Sequence, residues 1–124
     1  MNQDMTPDTT PSPTLADVQR MVDRWITSTG KGYFSPLTNA VILAEETGEV
    51  ARVMARQYGD QIAKPGDKSS LADELADLLW VLTAIANQTG IDLTEAFAAN
   101  LAKKESRDST RFAARTSHPD NSLT

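Results

Sequence analysis

The stretch SPLTNAVILAEETGEVARVMARQY, residues 35–58, decides the fold of this chain. It opens on Ser35 and Pro36, a pair typical of a helix N-terminus because serine caps the helix and proline suits its first position. Apolar residues then recur at intervals of three and four, which is the period of an α-helix with one buried face. The stretch therefore predicts a long amphipathic helix that ends near Tyr58.

Two acidic residues lie on the apolar side of this helix. Ile42, Glu46, Glu49 and Val53 follow the spacing i, i+4, i+7, i+11, which places them in one narrow stripe. Acidic side chains are rarely buried without a partner. This stripe therefore makes Glu46 and Glu49 candidates for a functional site.

Glu45 falls on a different side of the same helix. At about 100° per residue it shares a face with Arg52 and Arg56. Charges of opposite sign at such spacing are typical of a solvated helix surface. We expect Glu45 to pair with these arginines and to have a peripheral role.

Capping residues and glycines predict three further helices. No strand-period alternation and no internal repeat is present, so the expected fold is an all-α four-helix bundle. The expected helices begin at the caps Thr14, Ser35, Ser69 or Ser70, and Asp92, and end before Gly30, at Tyr58, near Thr89 and near Arg107.

Composition limits the class of protein. The 124 residues suffice for one domain, with 1–13 expected to be a disordered N-terminal tail, 14–108 the helical domain and 109–124 a flexible C-terminal tail. No cysteine is present, so thiolate metal sites are excluded. The single histidine, His118, falls in the C-terminal tail. The net charge of −5 argues against nucleic-acid binding, and no apolar run is long enough to cross a membrane. A cytoplasmic protein is expected.

The third predicted helix repeats the acidic pattern of the second. Glu74, Asp77, Val81 and Ile85 lie along one side of it, whereas Asp73 points elsewhere. If the second and third helices pack as an antiparallel pair, two acids from each converge.

Electrostatic repulsion indicates what such a cluster would do. Two like charges about 5 Å apart repel by roughly 3 kcal/mol at an effective dielectric constant near 20. A cation relieves that repulsion, and an all-oxygen ligand set suits Mg²⁺, with Mn²⁺ as a possible substitute. The alternative is that the acids are ordinary solvated surface charges. The occurrence of two acidic pairs, each on the apolar stripe of its helix, makes this alternative less favourable.

The acidic residues also carry a resemblance to a known family. Glu45-Glu46-Thr47-Gly48-Glu49, followed after a 24-residue spacer by Glu74-Leu75-Ala76-Asp77, resembles the E-E-x-x-E … E-x-x-D signature of the MazG-like nucleotide pyrophosphohydrolases, in the all-α NTP pyrophosphatase superfamily. The resemblance covers roughly residues 15–112, including the segment GYFSPL at 32–37.

The resemblance implies an activity and a set of site residues. It implies Mg²⁺-dependent hydrolysis of nucleoside triphosphates to a monophosphate and pyrophosphate, as in house-cleaning of the nucleotide pool. By position, Glu46, Glu49, Glu74 and Asp77 would be the catalytic metal ligands. It also implies a homodimer or homotetramer.

Two further groups of side chains are candidates for substrate binding. The inward stripe of the fourth helix turns basic, which suits phosphate oxygens, although cations also favour any helix C-terminus. Aromatic residues are candidates for stacking on the base, but Trp25 also lies in the apolar stripe of the first helix, where burial is the alternative. The substrate-binding candidates are Asn100, Lys103, Lys104, Arg107, Trp25 and Phe34.

Three other functions compete with this one. A di-iron carboxylate bundle requires Glu-x-x-His pairs and is rejected, since His118 lies outside the helices. A phosphoribosyl-ATP pyrophosphohydrolase would share the metal ligands, and a substrate assay separates it. A non-catalytic helical module that binds metal or nucleotide would be expected to have lost one of the four acids.

Overall fold

The computed structural model describes residues 11–116, and their side chains as far as residue 113. Within that range it is all-α, with four helices and no strand, as predicted. Much of the tails predicted at 1–13 and 109–124 lies outside the described residues. The helices are α1 (Leu15–Ser28), α2 (Pro36–Gln57), α3 (Leu71–Gln88) and α4 (Leu93–Thr116).

Side-chain caps begin the helices where the sequence predicts them. Thr14 forms a capping box with Asp17, in which the threonine hydroxyl accepts from the Asp17 amide and the Asp17 carboxylate accepts from the Thr14 amide. The Ser35 hydroxyl caps α2 by accepting from the Thr38 amide, and the Ser70 hydroxyl caps α3 by accepting from the Asp73 amide. These caps satisfy amides that a helix leaves without an internal partner.

The fourth helix is longer than predicted. Asp92 caps it by accepting from the amides of Thr94 and Glu95 at 2.9 and 3.3 Å. The helix then continues to Thr116, so the predicted end near Arg107 is too early. Residues 108–116 contain no glycine or proline, and nothing in their backbone chemistry breaks the helix.

The helices α2 and α3 form the central antiparallel pair. Asn39 in the first turns of α2 donates from Nδ2 to Oε1 of Gln88 at the end of α3, over 2.8 Å. The helix α1 packs on α3, and α4 packs principally on α1. The core between α1 and α3 is small and consists of Val22, Ile26 and Ala84, with Val18 and Tyr33 packed against them.

Many large apolar side chains lie outside this core. Burial in the core was one alternative for Trp25, but this side chain is 49% exposed. Leu37 of α2 is 77% exposed. On α3, Leu75, Leu79 and Leu82 are each close to half exposed. No helix among the described residues has the length and apolar character needed to cross a membrane.

Candidate metal and nucleotide site

Three carboxylates from the central helix pair meet at one point. Glu46 of α2 and Glu74 and Asp77 of α3 each offer an oxygen, and these oxygens lie within 4.8 Å of one another. Ligand oxygens around an octahedral Mg²⁺ lie about 3–4 Å apart, given metal–oxygen distances of about 2.1 Å. Only a small inward movement of the three carboxylates would therefore let them hold one hard divalent cation.

The environment of Glu46 disfavours its charge. Burial raises the pKa of the Glu46 carboxyl, and the negative charges of Asp77, Glu74, Glu45 and Glu49 raise it further. Among the described residues, no cationic side chain forms an ion pair with Glu46. A bound metal ion would supply that positive charge.

Glu49, the fourth predicted ligand, has another partner. Its Oε2 accepts from Arg52, at 2.7 Å from Nη2 and 3.0 Å from Nε. It lies one helical turn beyond Glu46 and is not among the three oxygens that converge. The structure therefore brings together three of the four predicted ligands and pairs the fourth with an arginine.

Glu45 does not pair with either of the two arginines expected to bind it. Arg52 pairs with Glu49, and Arg56 pairs with Asp67 at 3.0 Å. Glu45 is exposed and forms no ion pair with any residue the structure describes. The predicted pairing of Glu45 with Arg52 and Arg56 is wrong, because both guanidinium groups find carboxylates nearer the α2–α3 loop.

Asp67 organises that loop and was missed at the level of sequence. Its Oδ1 accepts from the amide and hydroxyl of Ser69, while Oδ2 accepts from Arg56. These bonds, with Ser69 contributing most, lower the pKa of Asp67 to about 2. The signal was its position directly after Pro65-Gly66, where an aspartate commonly bonds to the backbone two residues on.

An apolar cavity of about 290 Å³ adjoins the carboxylates. Ile42 in its wall precedes Glu46 by one turn of α2, and Val81 follows Asp77 by one turn of α3. Trp25 and Trp80 meet edge to face there, with ring centroids 5.4 Å apart and planes at 88°. The cavity is lined by aromatic rings in Trp25, Tyr33, Phe34 and Trp80.

Both aromatic residues named as substrate contacts line this cavity. Phe34 is 64% exposed and Trp25 is half exposed, so their rings are accessible to a ligand. Asn39, which was not singled out from the sequence, also lines the cavity and is 6% exposed. Its position on α2 carries no pattern that would have distinguished it from a surface asparagine.

The polar candidates on α4 lie elsewhere in the single chain. Asn100, Lys103, Lys104 and Arg107 are all exposed on a helix that packs principally on α1. Arg107 lies 3.5 Å from the carboxylate of its neighbour Asp108. Within one chain the structure does not gather these side chains around the three carboxylates.

Comparison with known proteins gives a consistent result. The family model of the MazG nucleotide pyrophosphohydrolase domain matches residues 34–112. The YpjD protein of Bacillus subtilis (strain 168) is 40% identical over 100 residues, covering 80% of this chain and 90% of that protein.

Two crystal structures are similar in sequence and in fold. That of YpjD from Bacillus subtilis has a TM-score of 0.68 and 38% identity, covering 75% of this chain and 96% of that one. That of the Bacillus-conserved MazG protein, a nucleotide pyrophosphohydrolase, has a TM-score of 0.64 and 37% identity, covering 74% and 90%. With the family model spanning both acidic motifs, this chain belongs to the MazG nucleotide pyrophosphohydrolase domain family.

Proposed function

We propose that this protein hydrolyses nucleoside triphosphates to nucleoside monophosphates and pyrophosphate, with Mg²⁺ as its cofactor. The observation that carries the proposal is the placement of three converging carboxylates directly beside an aromatic cavity. The carboxylates suit a cation that binds phosphates, and the cavity suits a base. House-cleaning of the nucleotide pool in the cytoplasm is the role we assign to this activity.

The donor set fits a hard divalent cation. Glu46, Glu74 and Asp77 offer only carboxylate oxygens, which Mg²⁺ and Mn²⁺ prefer over softer ligands. Glu49 would complete the set if its carboxylate turned from Arg52 toward the cluster. When bound, such a cation polarises the phosphate oxygens and neutralises charge that develops during the reaction.

The protein's own groups would position the substrate and accept a proton. The aromatic walls of the cavity hold the base, which sets the triphosphate against the carboxylates. Water attacks one of the two phosphorus atoms that share the α–β bridging oxygen, and the bond from that phosphorus to the bridging oxygen breaks. The proton of the water passes to a free carboxylate oxygen of the cluster, and monophosphate and pyrophosphate separate. Glu46, whose carboxyl pKa is raised by burial and by its acidic neighbours, is the acceptor that we assign.

Phosphate binding is assigned to α4 of a second copy of the chain. The side chains of Asn100, Lys103, Lys104 and Arg107 are exposed and available to a neighbouring subunit. Large apolar side chains exposed on α2, α3 and α4 support a homodimer or homotetramer, since monomers seldom expose so many. Each site would then combine carboxylates of one chain with cations of another.

The test is a panel of nucleotides assayed for pyrophosphate and monophosphate. It contains the canonical ribo- and deoxyribonucleoside triphosphates, oxidised nucleotides and phosphoribosyl-ATP, each with Mg²⁺, with Mn²⁺ and with chelator. We expect equimolar monophosphate and pyrophosphate from one or more triphosphates, and none with chelator. Glu46→Gln and Asp77→Asn should each lower kcat by about 100-fold or more.

Glu45→Gln is the matched control, because Glu45 belongs to the same motif but lies outside the cluster. It should retain activity within about threefold of the unmodified protein. Turnover of phosphoribosyl-ATP alone would identify the other pyrophosphohydrolase instead. Metal binding without turnover of any nucleotide would indicate a non-catalytic module, and an equal loss in Glu45→Gln would contradict the assignment of the site.

A further inference from the structure

We infer that Asn39 reads the nucleobase, with its Oδ1 accepting a hydrogen bond from an N–H group of the base. The inference rests on the proposed function and adds a specificity-determining residue. The substrate must then carry an amino or ring N–H donor on the edge of the base that enters the cavity.

The position of Asn39 is unusual for a polar side chain. It is 6% exposed and lines the apolar cavity beside Phe34 and Ile42. Buried amides are normally satisfied on both their donor and acceptor sides. What the two ends of this amide bond to therefore decides its role.

A relay of amides orients Asn39. The Phe34 carbonyl oxygen can only accept, so Gln88 presents Nε2 to it. Oε1 of Gln88 consequently faces Asn39, and Asn39 must present Nδ2 to it, over 2.8 Å. The backbone carbonyl thus determines the orientation of both side-chain amides, and Oδ1 is the atom of Asn39 that remains.

This Oδ1 has no donor among the residues that the structure describes. Among the described residues, no fully buried side-chain nitrogen or oxygen lacks a hydrogen-bond partner. Because Oδ1 has no partner, this atom cannot be fully buried and must have some accessible surface. Asn39 lines the aromatic cavity, and we place the accessible surface of Oδ1 there. An acceptor at the wall of a largely apolar cavity favours a ligand that places a donor there.

The location agrees with the geometry of the proposed substrate. Asn39 lies almost two turns before Glu46 on α2, and the cavity wall continues between them at Ile42. A base against Asn39 therefore leaves its sugar and phosphates on the side of the carboxylates.

The experiment compares bases with and without the donor. The preferred nucleotide among dCTP, dATP, dUTP and dGTP is assayed beside its analogue that lacks one N–H donor. The analogues are 2-pyrimidinone deoxyribonucleoside triphosphate, purine deoxyribonucleoside triphosphate, N3-methyl-dUTP and N1-methyl-dGTP. We expect the analogue to lower kcat/KM by about 10–100-fold, because it leaves Oδ1 without a partner.

The same pair is then assayed with Asn39→Leu, or with Asn39→Ala if the leucine variant does not fold. The variant should hydrolyse both nucleotides at rates within about threefold of each other, because neither base meets the acceptor. Absence of discrimination in the unmodified protein, or unchanged discrimination in the variant, would overturn the role of Asn39 and leave the proposed function standing. Release of no pyrophosphate from any nucleotide would overturn the proposed function itself.

Discussion

Glu46 is the residue at which the electrostatics of the site are most strained. It is partly buried on α2 and faces Glu74 and Asp77 of α3, with no cationic side chain bonded to its carboxylate among the described residues. Burial, and after it the negative charges of its neighbours, raise the pKa of the Glu46 carboxyl above its ordinary value. Glu49, one turn away, is bound by Arg52.

The raised pKa of Glu46 makes stability depend on pH. A carboxyl group with a raised pKa in the folded state contributes stability that is present below the unfolded value, 4.5, and is lost as pH rises through the folded value. Glu46→Gln mimics the protonated form. In chelator at pH 7 we expect its melting temperature to be about 2–5 °C above that of the unmodified protein, and we expect the two to converge as pH falls below 4.5.

Metal should reverse this order. With excess Mg²⁺ the unmodified protein gains stability from binding, whereas Glu46→Gln gains less because it has lost a ligand. Differential scanning calorimetry with and without Mg²⁺ measures both effects, and Glu45→Gln provides the control. A Glu46→Gln protein that is less stable at pH 7 in chelator would show that this carboxylate is not repelled by its neighbours.

At the scale of elements, the α2–α3 connection decides how the two acidic helices face each other. Asp67 in this connection bonds to Ser69, just before the cap of α3, and to Arg56 in the last turns of α2. Arg52 is 4.0 Å from the same carboxylate and also binds Glu49. One aspartate therefore links the loop, the end of α2 and the fourth acidic residue.

Removing that aspartate should loosen the connection. In Asp67→Ala we expect the amides of residues 59–70 to exchange with solvent roughly threefold to tenfold faster, because the loop loses its bonds to Arg56 and Ser69. Hydrogen exchange followed by mass spectrometry on peptides of this loop measures the rate. The stabilising contribution of Asp67 is present above pH 3.8 and is lost as pH falls through its folded pKa of about 2.

Asp60→Ala is the matched control in the same loop. Asp60 is exposed and forms no ion pair with the residues that the structure describes. Its removal should leave the exchange rates of 59–70 unchanged. Equal acceleration in both variants would mean that the loop is held by its backbone rather than by Asp67.

At the scale of the whole molecule, many large apolar side chains of the helices remain exposed in the single chain. Leu75, Leu79 and Leu82 follow a helical spacing along α3 and are 48%, 45% and 42% exposed. Phe97 and Leu101 form a similar pair on α4. These stripes have the spacing of a packed helix face and are the surfaces we assign to association of identical chains.

Association should be visible in solution and sensitive to one charge on α3. Light scattering coupled to size-exclusion chromatography should give the mass of a dimer or tetramer, and Leu79→Glu should weaken association by at least about tenfold. Ile62→Glu is the control, because Ile62 is 92% exposed on the loop and belongs to no helical stripe. A monomeric mass for the unmodified protein at micromolar concentration would contradict the assignment.

The sequence alone determined the local structure and the chemistry available to the protein. Caps such as Thr14, Ser35 and Asp92 start helices by bonding to nearby amides, which needs no distant contact. Helical periodicity then placed Glu46 on the same stripe as Ile42, because the period depends only on backbone geometry. The all-α class and the acidic motifs followed from such short-range rules.

The tertiary structure decided which side chains meet. The convergence of Glu46 with Glu74 and Asp77, and the capture of Glu49 by Arg52, depend on how α2 and α3 are rotated and spaced. The amide of Asn39 acquires its orientation from Gln88, which is 49 residues away along the chain. Such contacts arise from competition among partners that are distant in sequence, and periodicity within one helix carries no information about them.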